Sequence, residues 1–316
     1  MHIYYFPPGE SVRTALKSDL DSRTGFFWFD IERYESNWYE TVHEWLAEEF
    51  YEQHIRDSLN ETHVPFYDGS DRYDMLIISS LVPTNQQASL ATCPIAFFIT
   101  HNAVITIRGR GDSIFDPFTE GLQQSKNKPV DSVSLLTWSF LDHIANGLLK
   151  QRASISERLA IWQEKLLQGS ADLSMWQEMM AMRNQLRRLE MITEGQLDAI
   201  GHWRELGSQR IPESLQVYYN DLQEHMNRIY RHALITQHDI DALVNIYFSA
   251  NTQRTNDTLK FLAIISAVFL PLNLIAGIFG MNFSYLPLLS SPYGPVLVTI
   301  VMLVISVTML RFFRKY

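Results

Sequence analysis

The chain of 316 residues has one cysteine, Cys93, which excludes a disulfide framework and a cysteine-rich metal or iron–sulfur site. Glycine and proline are sparse as well, at 14 and 12 residues, and 46% of the residues are hydrophobic, so the chain is neither collagen-like nor disordered. The first 25 residues contain no long apolar run. We therefore expect no cleaved signal peptide and a reducing, cytoplasmic setting for the N-terminal part.

Acidic residues are missing from the C-terminal part of the chain. Residues 1–257 carry 22 basic and 35 acidic side chains, a net charge of −13, whereas residues 258–316 carry four basic side chains and no acidic one. A body of this charge argues against nucleic acid as a partner. The sequence therefore predicts an acidic soluble body followed by an apolar, weakly basic tail.

The common catalytic motifs are missing too. The sequence contains no P-loop, no G-x-G-x-x-G, no H-E-x-x-H and no G-x-S-x-G, and no catalytic triad is suggested by the spacing of its residues. We therefore predict that the chain is not an enzyme and that it uses no organic cofactor.

Two uncharged apolar stretches lie in the tail, at residues 261–279 and 295–310. Each is close to the roughly 20 residues that a helix needs to cross the hydrocarbon core of a bilayer. Basic residues flank both outer ends, which places those ends in the cytoplasm and the connecting loop outside; they are Lys260, Arg311, Arg314 and Lys315. We predict an integral protein of a bacterial inner membrane; the alternative is a buried helical hairpin in a soluble core.

Polar and small residues recur on one face of the first apolar stretch. Steps of three and four define this face, here called the stripe, as Asn256, Leu259, Leu262, Ser266, Leu270, Asn273 and Gly277. Polar side chains inside a membrane normally face other helices or water. The stripe is typical of a symmetric pore with polar rings and apolar constrictions, and equally of a helix–helix seam.

The body divides into an α/β part and a helical part. Residues 36–49 and 52–60 are predicted helices, and the predicted strands are Phe26–Ile31, Met75–Leu81, Ile95–Thr100 and Ala103–Arg108. From Ser132 onward the pattern is helical, with a turn at Gly169 and Asp172 as the next N-cap. We predict an α/β domain at 1–131, a helical bundle and stalk at 132–257, and a two-helix transmembrane pore domain at 258–316.

The last helix of the body has no stop signal before the membrane. Apolar residues from Leu222 to Ala250 alternate steps of four and three, and this spacing continues into the stripe. A helix from Pro212 to Phe279 is about 100 Å long at ~1.5 Å per residue. It buries its apolar face by packing with the two preceding helices or by self-association.

The first apolar stretch ends in Phe279-Gly280-Met281-Asn282-Phe283, which resembles the signature of the CorA family of divalent-cation transporters. Residues 269–272 and 275–278 are similar to the family's first span, and residues 54–60 with His63 and Pro65 to a segment of its cytoplasmic domain. The order of acidic domain, stalk and two spans is similar to the family over essentially the whole chain.

This resemblance implies a homopentameric funnel in a lipid bilayer that imports hydrated Mg²⁺, sometimes Co²⁺ or Ni²⁺, down the membrane potential. It implies Gly280, Met281 and Asn282 as the selectivity filter, with Asn282 accepting hydrogen bonds from the water shell that Mg²⁺ gives up reluctantly. Asn273 is then a second polar ring, and the leucines of the stripe are apolar collars that close the path.

Asp57 and Asp221 resemble carboxylates that bind a regulatory cytosolic Mg²⁺ between subunits of the family; the alternative is two solvated surface acids. Relatives have an acid beside the Asp57 position, where this chain has Arg56, so we expect no second ion there. Many relatives also have acids in the loop after the signature, at the positions of Ser284 and Leu288.

Two further functions stay open at this point. One is proton-coupled Zn²⁺ transport, as in the ZntB branch, although Met281 favours the Mg²⁺ branch; the other is a membrane-tethered scaffold with a closed pore. His225 and His232 are seven residues apart on the stalk and share a face. In a symmetric oligomer they form rings for Zn²⁺ or for sensing pH, or they belong to a solvated face.

Overall fold

The computed structural model describes residues 1–21, 24–82, 91–110, 112, 114–116, 119–120, 130–207, 211–281 and 293–315. The chain forms two compact units, Met1–Val244 and Asn245–Tyr316. This division does not test the boundaries predicted at 131/132 and 257/258, which stay predictions.

The first unit contains a seven-stranded mixed sheet in the spatial order β2-β1-β3-β7-β6-β5-β4. Its strands are β1 (His2–Phe6), β2 (Arg13–Thr14), β3 (Phe26–Glu32), β4 (Phe66–Gly69), β5 (Asp74–Val82), β6 (Ala91–Ile99) and β7 (Ala103–Arg108). The central pair β3 and β7 is parallel and the other pairs are antiparallel. The four predicted strands are confirmed, and β1, β2 and β4 were not predicted.

Both faces of the sheet are covered by helices. The short helices α1 (Trp38–Leu46) and α2 (Glu52–Leu59) pack on one face, where Trp38, Phe98 and Tyr73 belong to the core. On the other face Phe140 lies 4.7 Å from the ring of Trp28, centroid to centroid. Phe140 belongs to the first of four long helices, which are α3 (Val133–Leu167), α4 (Leu173–Leu206), α5 (Gln216–Gly280) and α6 (Gly294–Lys315).

The α3–α4 hairpin covers the apolar face of α5 inside the first unit. Tyr219 donates from its hydroxyl to the Ser134 carbonyl at 2.8 Å, and Arg183 on α4 forms a 2.6 Å ion pair with Asp241. The residues of α5 that recur at steps of four and three from Leu222 to Leu243, N-terminal to the stripe, are buried. Packing by the two preceding helices, one of the two predicted arrangements, therefore occurs within the single chain.

The helix ends agree closely with the sequence signals. Asp172 caps α4 by accepting a hydrogen bond from the Met175 backbone nitrogen at 2.9 Å, as predicted. The helix α5 begins at Gln216 rather than at Pro212, because Glu213–Leu215 forms a 3₁₀ turn after the proline. It continues to Gly280, one residue beyond the predicted end.

The second unit contains the C-terminal part of α5 and the helix α6. Residues with reduced exposure recur on one face of each helix: Ile264, Val268, Pro271 and Ile275 on α5, and Val298, Met302, Ile305 and Met309 on α6. In the most apolar 18-residue segment of each helix, only 6% is buried on α5 and 0% on α6. The single chain therefore does not bury these two helices in a soluble core of its own, as the alternative of a buried hairpin requires.

Candidate ion pathway

The stripe lies on the side of α5 that faces away from the packed residues of the second unit. All seven of its residues are exposed in the single chain, including the three leucines Leu259, Leu262 and Leu270, at 57%, 58% and 72%. The packed positions Ile264, Val268 and Pro271 lie on the opposite side of the helix. The stripe is therefore not a seam with the packed face of the second unit, and its surface is open to other copies of the chain, to water or to lipid.

Glycine at position 277 is not required by any close contact among the described residues. A Cβ built on Gly277 meets no described atom within 4 Å, and the same holds for Gly280. Gly277 lies in the last turn of α5, three residues before the end of the helix at Gly280. A residue this small permits close approach of a second helix or of a solvated ion at this point of the stripe.

The predicted filter lies where α5 ends. Gly280 is the last helical residue, and the next residue, Met281, is 55% exposed and donates from its backbone nitrogen to the Ile278 carbonyl at 3.4 Å. Asn282, together with Ser284 and Leu288, lies outside the described residues. The filter assignment of Gly280, Met281 and Asn282 stays a prediction.

Asp57 lies on α2, largely covered, with two neighbours beside its carboxylate. The Gln53 amide donates to its Oδ1 at 2.9 Å, and His63 Nε2 lies 3.9 Å from the same oxygen. Arg56, the departure from the family, forms an ion pair with Glu52 one turn earlier on α2. Arg56 therefore has its own acidic partner and does not neutralise Asp57.

Asp221 lies in the second turn of α5, more than half exposed, beside two other ionisable groups. Its Oδ2 is 3.5 Å from Nε2 of His225, whose Nδ1 lies 3.9 Å from Oδ1 of Asp142 on α3. Burial raises the pKa of the Asp142 carboxyl and the charge of Asp221 raises it further, while the imidazole of His225 opposes both. Asp142 was not predicted, because it lies 79 residues before Asp221 in an ordinary helical pattern.

Asp57 and Asp221 have different neighbours, and no contact joins them among the described residues. In the described part of the chain no group of three His, Cys, Asp or Glu side chains is arranged to hold a metal ion. The carboxylate oxygens of Asp57 and Asp221 are donors that suit Mg²⁺. Because the two side chains do not meet within the described part of one chain, the predicted bridge requires carboxylates from two chains.

The two stalk histidines have different surroundings. His225 contacts carboxylates, whereas His232 Nδ1 lies 2.7 Å from the Thr236 hydroxyl, one turn further along α5. Their assignment to a zinc or pH-sensing ring stays a prediction.

A mixed sheet and a helical bundle are followed along this chain by two helices long and apolar enough to cross a membrane, and the first of these carries the exposed stripe. The sequence profile of the family described as CorA-like Mg2+ transporter protein matches residues 23–315, and the chain belongs to this family. The predicted family and fold class are thereby confirmed, with the pentamer untested.

Individual relatives agree with this assignment. The chain is 25% identical over 267 residues to the cobalt/magnesium transport protein CorA of Thermotoga maritima, covering 83% of this chain and 74% of the relative. The complete structure of the CorA magnesium transporter of Methanocaldococcus jannaschii matches at a TM-score of 0.86 and 17% identity, covering 100% and 98% of the two chains. The structure of the ZntB cytoplasmic domain of Vibrio parahaemolyticus matches at a TM-score of 0.63 and 15% identity, covering 80% of this chain and 98% of that domain.

Proposed function

We propose that five copies of this chain form a funnel in a bacterial inner membrane and that their first spans line a path for hydrated Mg²⁺, and for Co²⁺, into the cytoplasm. The observation that carries the proposal is the exposed stripe, which faces away from the packed side of α5 in a chain of this family. Relatives named for cobalt and magnesium transport support the choice of ion.

The proposed path is neutral, so the membrane potential supplies the driving force. The stripe contains no charged residue, and there is no acidic residue from Thr258 to the end of the sequence. A divalent cation gains about 4.6 kcal/mol from 100 mV, at roughly 2.3 kcal/mol per elementary charge. Amide oxygens of Asn273 and Asn282 accept hydrogen bonds from the water shell, so the ion crosses without losing it.

The proposed gate is formed by the leucines of the stripe. Rings of Leu259, Leu262 and Leu270 side chains close an aqueous path by excluding water when the helices approach one another. The small Gly277 permits that approach, because it has no side chain and no described atom lies within 4 Å of the place its Cβ would take. In the closed state a cytosolic Mg²⁺ lies between Asp57 of one chain and Asp221 of the next, which makes transport self-limiting.

Uptake into proteoliposomes tests the proposal. Under an inside-negative potential we expect Mg²⁺ to enter and to be detected by a fluorescent indicator inside the vesicles, because the potential is the driving force. Absence of potential-dependent flux from verified oligomers contradicts transport and favours the scaffold.

The same vesicles distinguish the zinc alternative. The likeness to the ZntB domain is one of fold at 15% identity and does not favour Zn²⁺. We expect Zn²⁺ uptake to be insensitive to a proton gradient and slower than Mg²⁺ uptake. Proton-stimulated Zn²⁺ uptake with negligible Mg²⁺ flux contradicts the proposal.

Cysteine labelling tests the stripe directly, because Cys93 is the only cysteine to remove. In a Cys93→Ser background we expect a water-soluble methanethiosulfonate reagent to stop Mg²⁺ uptake through Ser266→Cys, since a bulky charged group then fills the path. Val268→Cys, two residues further on the packed face and 7% exposed, is the matched control and keeps its flux. Equal inhibition of both variants, or of neither, removes the stripe from the path.

A further inference from the structure

A groove of about 660 Å³ runs between α3 and α5 in the first unit, separate from the stripe and from Asp57 and Asp221. Three cationic or titratable side chains on one face of α5, Arg228, Arg231 and His232, line it. Leu159 and Ala160 on α3 and Ile235 on α5 contribute apolar side chains to its surface. A groove of this volume accommodates a small molecule.

The two arginines are poorly neutralised. The nearest acid to Arg228 is Glu224, whose Oε1 lies 4.0 Å from Nε, and Arg231 donates from Nε to the Asn227 backbone carbonyl at 3.4 Å. By contrast, Arg183 on α4 has a carboxylate at 2.6 Å. Among the described residues neither groove arginine has a carboxylate within hydrogen-bond distance.

This charge is unusual for its surroundings. Residues 1–257 carry a net charge of −13, yet the described lining of the groove contains one acid, Asp239, against two guanidinium groups. Both arginines are exposed and lie one turn apart on the same helix, so their guanidinium groups can approach one anion from the same side. A planar guanidinium binds phosphate oxygens in pairs, and two of them match a phosphate or polyphosphate.

We propose that this groove binds a small molecule with a phosphate or polyphosphate group and an apolar or aromatic part, the class that includes nucleotides. Arg228 and Arg231 hold the phosphate oxygens, and the apolar side chains of Leu159, Ala160 and Ile235 contact the remainder. Binding does not depend on ion transport by the chain.

Calorimetry with the full chain in detergent tests the proposal, with ATP, tripolyphosphate and adenosine as probes. We expect ATP to bind saturably, tripolyphosphate more weakly and adenosine not at all. Arg228→Gln with Arg231→Gln is expected to weaken ATP binding about tenfold or more, because two charge-assisted contacts are lost. The control Arg187→Gln with Arg188→Gln removes the same charge from exposed positions of α4. We expect it to bind ATP within about twofold of the affinity of the unmodified protein, because exposed charges far from the ligand are screened by salt.

Several results overturn the proposal. No saturable ATP binding excludes the site, and equal weakening by the two double variants reduces it to general electrostatic attraction. Equal affinity for tripolyphosphate and ATP excludes the apolar contact. If the groove variant dissociates into smaller species by light scattering while the control stays assembled, the arginines belong to a contact between copies instead.

Discussion

Replacing Asn282 by alanine is expected to reduce Mg²⁺ uptake to the level of empty vesicles while the oligomer stays assembled. Asn282 supplies the outermost ring of acceptor oxygens in the proposed path, and the loop after it has no charged residue to take over that role. A methyl group accepts no hydrogen bond from the water shell, so a hydrated ion meets an apolar entrance. Uptake into proteoliposomes measures the loss of transport, and light scattering in detergent measures the mass of the assembled oligomer.

Gln253→Ala is the matched control for loss of an amide. Gln253 lies on α5 outside the stripe, and its amide donates to Asp257 at 3.1 Å on the exposed surface. We expect this variant to transport at the rate of the unmodified protein. Retained flux in Asn282→Ala contradicts the filter role, and equal loss in both variants indicates a general requirement for the helix.

The double substitution Asp57→Asn with Asp221→Asn is expected to abolish the protection that Mg²⁺ gives the chain against protease. In the proposed oligomer the ion lies between two carboxylates, and without it their repulsion loosens the contact between copies. An ion that binds the closed state more tightly stabilises that state, and by linkage the closed state binds the ion more tightly. Limited proteolysis of the full chain across a Mg²⁺ series measures the effect.

Asp71→Asn with Asp198→Asn makes the same change of charge at two exposed positions elsewhere in the first unit and controls for it. We expect this control to keep its full Mg²⁺-dependent protection. If the double variant of Asp57 and Asp221 is protected to the same degree, the regulatory ion lies elsewhere or does not exist.

The sheet shows what sequence patterns reveal and what they miss. The strands β3, β5, β6 and β7 are buried along most of their length and rich in branched and aromatic residues, so their composition predicts them. The strands β2 and β4 have two and four mostly exposed residues at the sheet edges and give no such signal. The parallel pairing of Phe27 with Ala103 joins residues far apart in the chain, and no local pattern encodes it.

The helices were predicted more completely, because a period near 3.6 repeated over many turns is a strong signal. That period also revealed the stripe, yet it did not distinguish a pore from a seam; the burial of Val268 on the other side of α5 excludes only a seam with the packed face of the same chain. Asp142 beside His225 has no sequence signal, since the contact depends on how α3 packs against α5. Asp57 and Asp221 were selected by resemblance, and a single chain does not bring them together.

The order of the two units along the chain determines the order in which the ribosome makes them. At about 5–20 residues per second, Met1–Val244 takes roughly 12–49 s to synthesise, whereas small domains fold at about 1 s⁻¹ or faster. The sheet and the α3–α4 hairpin are therefore complete, with their own buried core, before the first apolar span has been translated. We therefore expect biogenesis to separate into two problems: the body folds in water on its own core, and the insertion machinery receives the two apolar helices after it, with basic flanks that favour one orientation.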